Sequence, residues 1–113
     1  MKNYIKWALD NEDHIDPADP LGNITFVGNT GIIEEQDIFL DSFLEAFVEG
    51  LSIIKTQDTS SVEIIDEPDE LIFIKNNQEL QIRYKNQAIT IDNIDSFSYQ
   101  LSLSISSFLS IFD

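Results

Sequence analysis

Cysteine is absent from this chain, histidine occurs once, and only six of the 113 residues are Lys or Arg. The absence of cysteine excludes a disulfide framework, a thiolate nucleophile and any thiolate metal site. His14 is the only histidine, so no paired-histidine zinc motif exists and a catalytic serine has few candidate bases. We therefore expect no catalytic residue, no metal and no cofactor, and we predict that the protein is not an enzyme.

Long apolar runs are also missing. No segment approaches the ~18–20 apolar residues that a helix needs to span a bilayer. The first residues lack the apolar core and the cleavage site of a secretory signal. These two absences predict a cytoplasmic protein.

An acidic loop over residues 11–22 is the segment nearest to a calcium-binding pattern. It lacks the central glycine and the closing bidentate Glu of an EF-hand, so we expect a solvated loop. The turn at 28–31 has two glycines and no following Lys, which argues against a phosphate-binding loop. The carboxylates near the acidic loop belong to Asp10, Glu12, Asp13 and Asp16.

Acidic residues dominate the charged ones, with 21 Asp and Glu and a formal net charge of −15. Such a charge argues against binding to nucleic acid or to an anionic membrane, because phosphates attract Lys and Arg. It favours a basic partner instead. Hydrophobic residues still make up 42% of the chain, including eight Phe, which predicts a folded core rather than disorder.

Hydrophobic spacing predicts a single α+β domain over residues 1–113. An apolar stripe of Leu40, Phe43, Leu44, Phe47, Val48 and Leu51 predicts a helix over 37–54. Residues 2–10 fit either a strand or a helical turn. We expect one antiparallel sheet of about five to six short strands, packed with two main helices. The strands are predicted at 24–27, 31–34, 62–65, 71–75, 80–84 and 88–91.

The last 20 residues fit two patterns. Residues 97–105 alternate apolar and polar side chains, as in a strand, yet apolar residues from Ile94 to Phe112 also recur at helical spacing. A span of this length without a turn signal is long for a strand, so the sequence favours a helix. Asp92 or Asp95 is the predicted N-cap.

The segment from Trp7 to Ile54 contains no Lys or Arg and carries 11 carboxylates. Four of them, Asp37, Asp41, Glu45 and Glu49, are spaced four residues apart across the predicted helix. Like charges at this spacing destabilise an isolated helix by ~0.2–0.5 kcal/mol per pair. Either the protein tolerates this cost on a solvated face, or a cationic partner covers the face.

We predict a partner-binding surface built from these acids and their neighbours. A second acidic cluster surrounds Pro68, and its position relative to the helix depends on a topology that the sequence does not give. The candidate binding residues are Glu34, Glu35, Asp37, Asp41, Glu45, Glu49, Glu67 and Asp69.

In its layout the chain resembles the small immunity proteins of bacterial polymorphic-toxin and contact-dependent growth-inhibition systems. The resemblance rests on a Trp7 segment, a hairpin entered at Gly22, the acidic and aromatic helix around residues 39–51, strand pairs at 71–73 and 80–82, and a closing helix. It implies a cytoplasmic protein that binds a cognate toxin domain, often a basic nuclease, and occludes its active site or an essential surface.

Two other classes remain open at this point. An acidic adaptor, a nucleic-acid mimic or a secretion chaperone would share the charge, and the chaperone would usually form a homodimer. An enzyme would require a concave pocket with perturbed carboxylates. The sequence does not decide between a monomer and a dimer.

Overall fold

The structure is a computed structural model that describes residues 3–10 and 16–112. Its radius of gyration of 13.6 Å is close to the ~13 Å expected of a single domain of this length. Neither helix in the described part of the chain is long and apolar enough to cross a membrane. In chain order the elements are β1 (Tyr4–Leu9), β2 (Leu21–Val27), β3 (Ile32–Phe39), α1 (Leu40–Ile53), β4 (Thr59–Glu63), β5 (Glu70–Asn76), β6 (Glu79–Tyr84), β7 (Gln87–Ile91) and α2 (Ile94–Ser110).

The strands form two antiparallel sheets. β1, β2 and β3 lie in that order in a three-stranded sheet, and β4 to β7 form a four-stranded meander. The sheets meet where the turn after β2 reaches β7: Asn29 N donates to Thr90 O at 2.7 Å, and Thr90 N donates to Thr30 O at 2.9 Å. The predicted α+β class with two helices is confirmed. The single sheet of five to six strands is corrected: the seven strands of the described residues form two sheets, between which the isolated bridge of Thr30 and Thr90 is the only strand pairing.

Two glycines allow the turn after β2 to contact β7. A Cβ on Gly31 would lie 2.0 Å from Ala88 O, and one on Gly28 would lie 2.7 Å from Thr90 O. Gly31 also has a φ of 83°, in the left-handed region that favours glycine. The predicted turn at 28–31 is therefore confirmed, and its glycines serve the junction of the sheets as well as the turn.

Phe47 of α1 lies where both sheets and both helices meet. Its ring stacks on Phe26 of β2 with the centroids 3.9 Å apart. It meets Phe73 of β5 edge-on at 5.8 Å and Phe97 of α2 at 6.4 Å. Val48, which the sequence pattern placed on the apolar stripe, is 46% exposed. The buried residues of the stripe are Leu40, Phe43, Leu44, Phe47 and Leu51.

The C-terminal segment is a helix, as its length favoured. Phe97, Leu101 and Phe108 of α2 are buried, and the Phe108 ring meets Trp7 of β1 edge-on at 5.5 Å. The predicted caps Asp92 and Asp95 are wrong. Asn93 is the N-cap, and its Oδ1 accepts a hydrogen bond from Ser96 N at 3.0 Å.

Two further element predictions are settled by strand pairing. β1 pairs with β2 over residues 4–9, so the ambiguous N-terminal segment is a strand. The strand predicted at 62–65 lies earlier, because Val62 is opposite Leu71 of β5 and the chain turns after Glu63. Glu12, Asp13 and His14 of the acidic loop lie outside the described residues.

Candidate partner-binding surface

The first helix carries three of the four aligned carboxylates. α1 begins at Leu40 after the extended residue Phe39, so Asp37 belongs to β3 and the prediction that it lies on the helix is wrong. Asp41, Glu45 and Glu49 follow at four-residue spacing, and all three are exposed. The helix therefore presents three carboxylates in a row on its solvent side.

A β-bulge explains why Asp37 is not helical. Between Gly22 and Ile24 of β2 the register shifts, and β3 has one residue more than β2. Asp37 accommodates the extra residue with a φ of 55°, a conformation that Asp adopts more readily than most residues. Its N–H donates to Asn23 Oδ1 at 3.3 Å. The extended chain thus continues for three residues beyond the predicted helix start.

Asp37 instead faces another carboxylate at the end of β1. The pKa of Asp10 is raised above its ordinary value, chiefly by a hydrogen bond to the Asp37 side chain, then by burial and by the charge of Asp37. This pair does not belong to the row on α1. Asp37 and Asp10 are thus two neighbouring carboxylates whose charges repel each other in the folded protein.

Glu35 of β3 is bound on both of its carboxylate oxygens. Lys85 Nζ lies 2.9 Å from Glu35 Oε1, and Gln87 Nε2 donates to Glu35 Oε2 at 2.8 Å. Gln87 Oε1 in turn accepts from Glu34 N at 2.8 Å. The Glu34 side chain is exposed on β3, where Thr25 Oγ1 donates to its Oε2 at 3.4 Å. The contacts of Lys85 and Gln87 join the two sheets and leave Glu35 little capacity for an external partner.

The acidic turn between β4 and β5 approaches this group. The pKa of Lys85 is raised first by its hydrogen bond to Glu35, and the charges of Glu35, Glu67 and Asp69 add to the shift against the lowering effect of burial. Glu35, Glu67 and Asp69, distant in sequence, therefore act on one lysine. The structure brings these three predicted residues together.

The same turn also meets α1. Glu49 lines an open hollow of about 590 Å³ together with Glu63, Ile64 and Asp66. The row on α1 and the β4–β5 turn are therefore neighbours, which answers the question that the sequence left open. We call the combined set the acidic surface; it consists of Asp41, Glu45, Glu49, Asp66, Glu67 and Asp69.

Basic residues do not neutralise most of the acidic surface. Within residues 3–10 and 16–112, Lys85 and Glu35 form the only ion pair. Asp41, Glu45 and Glu49 have no such partner, and no Lys or Arg lies in the last turn of α1 to oppose the helix dipole. The surface thus carries an uncompensated negative field that would strengthen its attraction for a cationic protein.

One aromatic residue, Tyr84, lies at the centre of this region; the sequence offered it as a possible interface anchor, and the structure places it in the core. Tyr84 is fully buried, its ring meets Phe43 edge-on at 5.2 Å, and its hydroxyl has no hydrogen-bond partner among the described residues. Burial raises the pKa of Tyr84 far above its usual range, and the charges of Glu67, Glu35 and Asp69 raise it further. Its position at the end of an alternating strand indicated a core residue, but gave no sign of the nearby acids.

The remaining chemistry of the described residues is limited. No group of three or more His, Asp or Glu side chains among them is arranged to hold a metal ion. No family model matches the chain, and comparison with curated proteins and with solved structures finds no significant match. A functional argument therefore starts from charge and geometry.

Proposed function

We propose that this chain is a cytoplasmic, non-enzymatic immunity protein that binds a basic toxin domain and blocks its active site or an essential surface. The observation that carries the proposal is the row of Asp41, Glu45 and Glu49, which is exposed on α1, has no ion pair within the described residues, and is continuous with the acids of the β4–β5 turn. The layout resemblance supports the immunity class, and the charge supports a basic partner.

Occlusion follows from the chemistry of such a pair. A nuclease binds substrate phosphates with Lys and Arg. Carboxylates of the acidic surface would pair with those cations and exclude the substrate. Charge complementarity of this kind raises association rates above the ~10⁵–10⁶ M⁻¹s⁻¹ of neutral pairs, and the gain falls as salt is added.

The first test is affinity capture from a lysate of the source organism with the tagged chain, followed by identification of the bound protein. We expect a basic toxin domain, whose toxicity in a sensitive host is suppressed when this chain is co-expressed. A captured protein that is not toxic, or whose toxicity is unaffected, contradicts the immunity function.

A pair of matched variants locates the binding face. Asp41→Lys with Glu45→Lys is expected to abolish both capture and protection. Glu79→Lys with Asp92→Lys changes the net charge equally, at the end of the four-stranded sheet opposite the β4–β5 turn, and is expected to preserve both. Equal losses in the two variants would mean that overall charge matters and the acidic surface does not.

The secretion-chaperone alternative is favoured by one separate observation. α2 has no charged residue after Asp95, and its outer side exposes Tyr99 and Leu103 by 65% and 52%. Such a face suits a homodimer, which is the usual state of these chaperones. Sedimentation analysis distinguishes the two functions, because the proposed inhibitor binds its toxin without a dimer of this kind.

A further inference from the structure

Among the strands that the structure describes, β4 lies at an edge and has one neighbour. It is the first strand in the order β4-β5-β6-β7 and pairs with β5 alone. The opposite edge of this sheet, β7, is contacted by the turn after β2 through Thr30 and Thr90. β1, at the edge of the other sheet, carries exposed Lys6, a residue type that discourages strand addition. β4 has no Lys, no Pro and no shift in register.

The direction of the free backbone groups on β4 follows from its register. Lys75 N donates to Asp58 O at 2.7 Å, and these residues are opposite each other in the antiparallel pair. Hydrogen-bonded pairs alternate along such a ladder, so Ser60 and Val62 bond to β5. The N–H and C=O groups of Thr59, Ser61 and Glu63 therefore point to the open edge, and no backbone bond within the described residues uses them.

Hollows lie beside both ends of β4. One, of about 560 Å³, is lined by Ile53 at the end of α1, by Gln57 after it, and by Ile72 and Ile74 on the outer side of β5. The other is the hollow that contains Glu49, Glu63 and Asp66, next to Ile65, which is 68% exposed. An added strand would find apolar contacts at one end and carboxylates at the other.

The charges around β4 indicate which kind of chain could pair with its open edge. A second copy of this chain would bring another net charge of −15 to the edge and would oppose its own carboxylates to Glu63 and Asp66. A segment with Lys or Arg would instead meet complementary charge there. An extended peptide that adds to a sheet edge gains affinity from main-chain bonds and specificity from alternate side chains.

We propose that β4 receives an extended basic segment of the partner as a fifth strand of the four-stranded sheet. The outward groups of Thr59, Ser61 and Glu63 would supply the main-chain bonds. Alternate apolar side chains of the segment would pack on Ile72 and Ile74, and its Lys or Arg would reach the carboxylates at the Glu63 end. This inference rests on the proposed function, since it specifies how the basic partner is held.

The test selects peptides from a phage-displayed random library, with peptides long enough to span β4, against the full chain. Selected peptides are then bound to Ser61→Pro, which removes an outward N–H but no bond to β5. Ser61→Ala is the matched control, because it removes the hydroxyl that bonds to Glu70 and retains the N–H. We expect basic peptides whose affinity falls about fivefold to tenfold in Ser61→Pro, the effect of one hydrogen bond, and is preserved in Ser61→Ala.

Amide hydrogen exchange is a second, independent measurement, made on the wild-type chain. A bound peptide is expected to slow exchange at Thr59, Ser61 and Glu63, while Ser60 and Val62, already bonded to β5, change little. Thr59→Pro with Thr59→Ala replaces the first pair of variants if Ser61→Pro does not fold.

Three other outcomes would contradict either strand addition, the proposed function or the identity of the added strand. Basic peptides that bind Ser61→Pro normally but fail on Asp41→Lys with Glu45→Lys would overturn strand addition and leave the proposed function standing. A library that yields no basic peptide would count against both. A dimer of the free chain that Ser61→Pro converts to a monomer would make a second copy the occupant and overturn the inference.

Discussion

Lys85 and Glu35, separated by 50 residues in the sequence, form an ion pair with Nζ and Oε1 2.9 Å apart. Lys85 occupies the tight turn between β6 and β7, and Glu35 lies on β3 of the other sheet. The pair therefore links the two sheets at a point where no strand pairing does so. It also places the only ion-paired lysine of the described residues beside the acids of the β4–β5 turn.

Lys85→Ala is expected to lower the free energy of unfolding by less than ~1 kcal/mol, because an ion pair whose lysine is 40% exposed is screened by water. The loss should be larger at low salt, since Glu35 would then face Glu67 and Asp69 without a cation. Urea unfolding at two salt concentrations measures it. Lys55→Ala removes an exposed lysine that forms no ion pair with any described residue, and an equal loss in that control would contradict a specific link between the sheets.

The pH dependence of Lys85 has a defined sign. Its pKa is raised in the folded protein, so its stabilisation is fully present below the unfolded pKa of 10.5 and disappears as the pH rises through the folded value. We expect the difference in stability between wild type and Lys85→Ala to be constant near neutral pH and to vanish at strongly alkaline pH. A difference that persists there would indicate that the lysine acts through packing.

Tyr84→Phe is expected to stabilise the protein. The hydroxyl of Tyr84 is buried and finds no hydrogen-bond partner in the part of the chain that the structure describes. Removal of such a group relieves a desolvation cost, with an expected gain of about 1 kcal/mol in the free energy of unfolding. Tyr99→Phe is the control, because Tyr99 is 65% exposed and its hydroxyl remains hydrated. A loss of stability in Tyr84→Phe, measured by urea unfolding, would show that the hydroxyl has a partner.

Tyr84 also predicts an alkaline limit to stability. Its folded pKa lies far above that of the unfolded chain, so above about pH 10 only the unfolded state loses the proton and the folded state becomes less favoured. Tyr84→Phe should lose less stability than wild type across this range. Unfolding curves between neutral and alkaline pH give the comparison, and parallel curves would contradict the buried, protonated phenol.

Much of the fold could be predicted from the spacing of apolar residues. The stripe containing Phe43 and Phe47 predicted the first helix, and the length of the last segment outweighed its strand-like alternation. The true helix start at Leu40 could not be predicted, because the chain stays extended through Asp37 owing to a bulge against β2 and a left-handed backbone at that residue. The approach of Glu67 to Glu35 depends on the packing of two sheets, which no local pattern contains.

Asp37→Asn tests the acidic pair outside the acidic surface. Asn tolerates the left-handed backbone of this residue, and its amide removes the charge that acts on Asp10. In the folded protein the pKa of Asp10 lies above 3.8, its value in the unfolded chain. The stability that this shift contributes is therefore present below pH 3.8 and is lost as the pH rises through the folded pKa. The variant should therefore be more stable than wild type at neutral pH and lose this advantage in acid.

The control for Asp37→Asn is Asp37→Ala, which removes the same charge but disfavours the backbone conformation with φ of 55°. Thermal unfolding of both variants at neutral and acidic pH separates the two effects. If Asp37→Ala is as stable as Asp37→Asn, the left-handed backbone carries no cost. If neither variant responds to pH differently from wild type, the carboxyl pair is not coupled.

Gly50 tests the packing of α1 on the four-stranded sheet. In an exposed helix interior, Ala is favoured over Gly by ~1 kcal/mol. Here a Cβ would lie 2.0 Å from Cε1 of Phe73, so the ring or the helix must move. Gly50→Ala is therefore expected to lower the free energy of unfolding by ~1–3 kcal/mol in spite of its better helix propensity.

A second substitution distinguishes the clash from any other defect. Phe73→Leu makes room beside residue 50 but costs stability by itself, because Phe73 is fully buried and contacts Phe47. The double variant is expected to be more stable than the sum of the two single losses, since the smaller side chain accommodates the new Cβ. Additive losses in urea unfolding would mean that Gly50 and Phe73 do not restrict each other, and the close packing of α1 against β5 would then be wrong.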